Sequence, residues 1–273
     1  MLIKKQVIAS TNLDSHGERF TKAELERWAA GAPRRMPIHV MHDMEQPISG
    51  VITNISVVPN DSTEEWQIVG DIETDDIRLG VEFKGFSISL FSPIYENPNS
   101  KLKIALPYPA YNDATLINSL TKIGEFDISK WRKKADTTTV VAVVLMFAQV
   151  VLTPFSEDLY NTYIRSALRS FRKSALGLLG SREIPVELCQ RIEFANRIIE
   201  LRFLPDDNTQ PIILDDQLLL SSILQSKELL EEHRFSVRKI ARLVFKFDRI
   251  GRRFVVLRTE FDDGSNVSGE PSI

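Results

Sequence analysis

A single cysteine, four histidines and no excess of charge of either sign restrict what this chain can do. Cys189, standing alone, cannot close an internal disulfide, so the fold does not depend on an oxidising compartment. It sits in an apolar–polar pattern with Val186, Leu188 and Ile192 that reads as helical, and its expected role is a buried, inert thiol. Lysine and arginine number 34 against 37 aspartates and glutamates, a formal net charge of -3. That balance lacks the basic excess of a general nucleic-acid binder, so no nucleic acid is expected as a partner. No metal and no cofactor is expected either. The N-terminal stretch Met1–Ser10 has no apolar run long enough for a secretory signal and alternates like a strand. Nothing repeats at a period of about 20 to 50 residues, which argues against a solenoid or propeller.

What is there falls into three zones of an α+β chain. Residues 1–115 read as short strands with turn signals and one or two helices. Thr21-Lys-Ala-Glu24 is a capping-box pattern opening a helix through Leu25, Trp28 and Ala29. Strand-like runs follow at 48–58, 66–72, 85–90 and 102–106, separated by Pro59-Asn-Asp-Ser62 and Asn97-Pro-Asn-Ser100. Residues 116–136 read as a linker.

The middle zone, 137–155, holds the longest apolar run. Val140–Leu152 is apolar except for Gln149, and threonines at 137–139 and 153 extend it to 17 residues. That reaches the lower end of the about 17–25 residues a membrane-spanning helix needs. Lys130-Trp-Arg-Lys-Lys134 precedes it, a basic-aromatic cluster of the kind found at a cytoplasmic membrane boundary. The run is therefore expected as a single transmembrane helix, with a buried core helix or strand as the alternative that its many valines favour. A spanning helix would anchor the first zone to the cytoplasmic face of an inner membrane. Otherwise the protein is expected to be cytoplasmic.

The third zone, 156–262, reads as a separate α+β module. Leu159, Tyr163, Ala167, Phe171 and Leu178 recur at helical spacing, with Arg165, Arg169, Arg172 and Lys173 largely off that stripe. Strand patterns cover 191–204 and 212–214, and a helix starts near Asp215-Asp216 and runs through Leu218, Ile223, Leu229 and Leu230. Ala241–Phe261 reads as a β-hairpin with Gly251 in its turn. The tail 263–273 is expected to be disordered. A regulatory, homo-oligomerising or partner-binding role is the default for this module.

Chemistry is narrowed by the scarcity of histidine. A serine hydroxyl needs a base within hydrogen-bond reach, and imidazole is the usual one. His16 lies in a turn composition, and His233 is alone. His39 and His42 stand three apart, so in an extended segment only one of them faces a given cleft.

An ordered set of motifs adds to this. Asp14-Ser-His-Gly17-Glu18 and the helix from Thr21 are followed by His42-Asp43 and Pro47-Ile-Ser-Gly50. Asp71-Ile-Glu-Thr-Asp-Asp76, Gly85-Phe-Ser87-Ile88 and Tyr108-Pro-Ala-Tyr-Asn-Asp113 come next. In order and spacing the set resembles the tailed-phage prohead serine proteases, over about residues 5–115. The resemblance implies His42 as general base and Ser87 as nucleophile on a protein or peptide substrate, with Gly85 beside an oxyanion hole. Herpesvirus assemblins use a related fold and a Ser-His pair, so a small closed β-barrel with flanking helices is the implied architecture.

Two features depart from the family. The serine motif continues to Ser89 where a second glycine is usual, so Ser89 is either a competing candidate or a small replacement. The acidic residue expected shortly before the Tyr108-Pro109 segment is replaced by Leu102-Lys-Ile-Ala105. Asp71, Glu73 and Glu96 are the remaining candidates to orient the imidazole. Three readings follow: an active serine endopeptidase, tethered to a membrane where 137–155 spans one; a degenerate protease fold serving assembly or interaction; or a phage protease fused to a scaffold-like domain.

Overall fold

Alternating apolar and polar residues at the start of the chain pair as antiparallel strands. The computed structural model describes residues 1–13, 19–39, 48–74, 89–98, 100, 102–124, 126–133, 143–147, 150–151, 165–180, 186–195, 197–204 and 215–271. The chain divides into two compact units. One comprises Met1–Leu90 with Lys133–Thr139 and Asp262–Ser265; the other comprises Phe91–Arg132, Val140–Phe261 and Asn266–Ile273.

In the first unit, β1 (Leu2–Ser10), β2 (Met36–His39), β3 (Ile48–Pro59) and β4 (Trp66–Glu73) form a sheet of order β1-β4-β3-β2. Helix α1 (Lys22–Gly31) starts where the capping box predicts. The Glu24 N–H donates to Thr21 Oγ1 at 3.2 Å, and the Thr21 N–H donates to Glu24 Oε2 at 2.9 Å. Leu25 drops into a core of Ile8, Phe20, Ile38, Ile52, Ile68 and Ile72. Ile68, Gly70 and Ile72 line the buried face of β4, which leaves Asp71 and Glu73 on its other face.

This sheet corrects the expected β-barrel. Its edges β1 and β2 pair only inward, to β4 and β3, and among the described residues no closed barrel exists. Closure requires the edges to be joined, directly or through further strands.

The second unit is built on a longer, mixed sheet. Its strands are β5 (Ser89–Tyr95), β6 (Leu102–Leu106), β7 (Phe126–Lys133), β8 (Val143–Phe147) and β9 (Val150–Val151), then β10 (Val186–Phe194), β11 (Arg197–Phe203), β12 (Ile240–Asp248), β13 (Arg253–Phe261) and β14 (Asn266–Ser268). Their order is β14-β13-β12-β11-β10-β8-β6-β7-β5, with β9 beside β10. The parallel pairs β6/β7, β8/β10 and β11/β12 each need a crossover. Helices supply them: α2 (Ala114–Ile123), then α3 (Ser166–Ser174) with α4 (Leu176–Gly180), then α5 (Asp216–Glu232). Leu116 and Leu120 of α2, Leu168 and Phe171 of α3, and Leu219 and Ile223 of α5 join one apolar cluster with the sheet.

The transmembrane expectation fails here. The described parts of 137–155 are strands β8 and β9, which run parallel to β10 with Leu145 opposite Leu188 and Val150 opposite Ile192. Among the described residues no helix is long and apolar enough to cross a membrane. Inner strands of parallel pairing read as unbroken apolar runs, and β-branched valine suits them. The span therefore looked like a helix only by its length.

Other expectations shift in detail. The presumed linker 116–136 carries most of α2 and all of β7, and the presumed disordered tail contributes β14. Cys189 is buried on β10 rather than on a helix. Of the proposed helical stripe, Leu159 and Tyr163 lie outside the described residues, and Leu178 falls in α4. The helix from Asp215 is α5, with the Asp215 side chain capping the N–H groups of Gln217 and Leu218. The hairpin is β12–β13, though the left-handed residue of its turn is Arg252 (φ 49) and not Gly251. A Cβ on Gly251 would lie 2.5 Å from Asp248 Oδ2, the movable end of a side chain.

Gly50 ties the sequence motif to packing. A Cβ on it would stand 2.5 Å from the Glu73 carbonyl oxygen and 2.9 Å from Thr74 Cβ. Gly50→Ala should therefore destabilise the chain by about 1–3 kcal/mol. Gly31→Ala, where nothing lies within 4 Å, should be neutral or stabilise by up to about 1 kcal/mol. Urea unfolding of the two variants beside the wild type checks both.

Candidate functional site

The chain leaves the first sheet toward segments 40–47 and 75–88 at one end, where the start of β3 meets the end of β4. His39 pairs with Ile48, so β2 and β3 meet at the two ends of segment 40–47, which bears His42. The start of β3 pairs with the end of β4, Val51 opposite Glu73 and Ile52 opposite Ile72. Thr74 Oγ1 donates to the Ser49 carbonyl, and the Thr74 carbonyl accepts from the Met1 ammonium at 2.7 Å. Segment 75–88, which bears Gly85 and Ser87, leaves from Thr74. His42, Gly85 and Ser87 themselves lie outside the described residues. Ser89, the competing serine, opens β5.

Of the three candidate acids, Asp71 and Glu73 lie on one face of β4 in the first unit, and Glu96 belongs to the second unit. Asp71 is a clamp between two distortions of the sheet. Its Oδ1 accepts the Lys5 N–H at 2.9 Å, and its Oδ2 accepts Asn54 Nδ2 at 2.9 Å. Lys5 (φ 51) and Asn54 (φ 52) both adopt the left-handed conformation, at the register shifts of β1 and β3 that flank β4. The Asn54 bond first, and the Lys5 N–H next, hold the Asp71 carboxyl below its ordinary value. Glu73 shares that face of β4, and Arg35 Nη2 reaches its Oε2 at 2.7 Å. Glu96 is exposed after β5, in the second unit.

Sequence reading missed a line of buried charge in the second unit. Along β11, Ile199, Leu201 and Phe203 join the apolar cluster, so Glu200 and Arg202 take the opposite face. Arg202 donates from Nη1 to Glu187 Oε1 of β10 (2.7 Å) and from Nε to Glu200 Oε1 (2.6 Å). Arg242 of β12 donates from Nε to Glu200 Oε1 (2.9 Å) and from Nη1 to Glu260 Oε2 of β13 (2.8 Å). Arg258 Nε closes the line on Glu260 Oε1 at 3.0 Å. Register shifts near Ala241 and Leu257 re-phase β12 and β13, so Ile240, Leu243 and Phe245, like Phe254, Val256 and Phe261, all reach the core. The available signal was the spacing Glu187-x-Cys-x-Arg191, Glu200-x-Arg202 and Arg258-x-Glu260, which marks one strand face.

That line is built to hold strands, not to react. Burial pushes the Glu200 carboxyl up, but the Arg202 and Arg242 guanidiniums outweigh it and hold the group far below its ordinary value. Arginine does not give up its proton. Cys189, on the same face, is pushed up to about 12 by burial, so it stays a thiol at neutral pH and is no nucleophile. His233 caps α5, with Nδ1 3.2 Å from Ser236 Oγ. Among the described residues no group of three or more His, Cys, Asp or Glu could hold a metal ion.

The sign of the Glu200 shift sets its pH dependence. A carboxyl lowered by folding stabilises the fold above its unfolded value, near 4.5, and that contribution drains as pH falls toward the lower folded value. The wild type should therefore lose stability steadily below about pH 4.5, and Glu200→Gln should show a flatter acid limb. At pH 7 Glu200→Gln should cost about 3–5 kcal/mol, because two buried guanidiniums lose their shared partner. Urea unfolding midpoints across the acid range measure both effects.

No protein-family model, no curated protein and no solved structure matches the chain.

Proposed function

We propose that the chain is a serine endopeptidase in which Ser87 is the nucleophile and His42 the general base, acting on a protein or peptide substrate. The observation that carries this reading is the shared end of the first sheet. The segments bearing His42 and Ser87 both spring from the joint made by Ser49, Gly50, Glu73 and Thr74. The ordered motifs through residues 5–115 add support, including the Thr21–Glu24 capping box and the packed glycine of Pro47-Ile-Ser-Gly50.

In this reading the imidazole of His42 takes the Ser87 hydroxyl proton as Oγ attacks the scissile carbonyl. Main-chain N–H groups beside Gly85 receive the oxyanion. The imidazolium then passes its proton to the leaving amine, which leaves an acyl-enzyme. Water, deprotonated by His42, releases the acyl group and restores the serine. Asp71 is committed to the Lys5 and Asn54 bulges and Glu73 is paired with Arg35, so the site is read as a Ser-His dyad. The same two commitments favour a second reading, a binding-only fold that has lost an orienting carboxylate.

Labelling by a fluorophosphonate probe separates the two. Wild-type protein and Ser89→Ala should label, and Ser87→Ala should not. His42→Ala should slow labelling by about a hundredfold or more, and the wild-type rate should rise with pH through about 6.5. An unlabelled wild type that retains its unfolding transition would leave the binding-only reading.

A further inference from the structure

The turn joining α5 to β12, residues 233–239, shows its apolar side chains to solvent. Phe235 is 90% exposed and Val237 99% exposed. Folding ordinarily removes phenylalanine and valine from water. This turn does not present them through looseness. The His233 N–H donates to the Leu229 carbonyl at 3.0 Å, the Arg234 N–H to Glu231 at 3.2 Å, and the Ser236 N–H to His233 at 3.1 Å. Lys239 Nζ donates to the Arg234 carbonyl at 2.8 Å, closing the turn across its apolar pair.

Cations surround the pair. Arg234 stands before Phe235 with its guanidinium 5.7 Å from the ring, and Arg238 and Lys239 follow Val237. Arg238 is held 4.7 Å over the Phe261 ring, so its charge has a fixed place beside the turn. Of the nearest acids in sequence, Glu231 in the last turn of α5 pairs with Arg234 at 3.6 Å, which leaves Arg238 and Lys239 as the stronger source of positive charge beside the turn.

The amount of apolar surface bears on the partner. A specific protein interface buries about 800 Å² on each side around an apolar centre, far more than two side chains on a convex turn offer. A lipid surface asks for less. Apolar tips enter the boundary between headgroups and acyl chains while flanking cations meet anionic headgroups.

We propose that turn 233–239 docks the second unit on an anionic membrane surface. Phe235 and Val237 enter the headgroup layer, and Arg234, Arg238 and Lys239 lie against the lipid anions. This contact is peripheral, reversible and salt-sensitive, and it does not depend on the peptidase reading.

The test is flotation of the full chain with vesicles of phosphatidylcholine alone or mixed with phosphatidylserine. Wild-type protein should float with the mixed vesicles at low salt, and with neither at high salt. The double variant Phe235→Ser, Val237→Ser should lower that partition by about tenfold or more, with an unchanged melting transition. Phe235→Trp should show a blue-shifted emission on adding the mixed vesicles, compared with the unsubstituted chain. Equal flotation of the double variant, or none by the wild type, would overturn the proposal. So would self-association or nucleic-acid binding that the double variant abolishes while vesicles bind neither protein.

Discussion

Register in the second unit is enforced by charge. Glu187, Arg202, Glu200, Arg242, Glu260 and Arg258 form a continuous line across β10–β13, and Glu260 is only 2% exposed. Side chains on a strand change face every residue, so a slip of one position along β11 would carry Glu200 and Arg202 into the apolar layer. Each would then lie among Leu243, Phe245 and their neighbours without a counter-charge, which is far costlier than the loss of a packing contact. The correct register instead satisfies every carboxylate with a guanidinium. The bulges at Ala241 and Leu257 belong to the same constraint, because they let β12 and β13 keep apolar residues in the core on both sides of a shifted ladder.

How much of this was legible depends on the distance over which each feature is decided. The start of α1 was readable because Thr21 and Glu24 satisfy each other three residues apart. The β12–β13 hairpin was readable from two strand-like runs around a short polar turn. Val140–Leu152 was not, because a hydrophobic run states that a segment avoids water but not what it meets. Its described residues are strands because β8 lies between β6 and β10 and β9 beside β10, partners some forty residues away that cannot be seen locally. Its valines were the one local clue, and run length outweighed them.

The candidate acids illustrate the same limit. Asp71-Ile-Glu73 carries two carboxylates, and composition alone makes both eligible to orient a histidine base. Asp71 is taken by Lys5 and Asn54, 66 and 17 residues away in sequence. Neither Lys5 nor Asn54 announces a left-handed backbone, although asparagine tolerates that conformation better than most residues. Glu73 is taken by Arg35, 38 residues away. A motif lists which groups are near one another along a strand; the sheet decides which of them is already occupied.

These two economies of charge meet in the functional argument. On the charged face of the second unit the described carboxylates and guanidiniums pair with one another, and Cys189 is held as a thiol. In the first unit the acids brace bulges and an edge, and the chain leaves the sheet at a joint fixed by Gly50 and Thr74. A dyad depends more heavily on such a joint than a triad does. With no carboxylate to hold the imidazole, its position must come from the backbone that carries it, and misplacement by about 1 Å is costly to catalysis. The close approach of β3 to the end of β4 is therefore the part of the scaffold on which a His42–Ser87 pair would rely most.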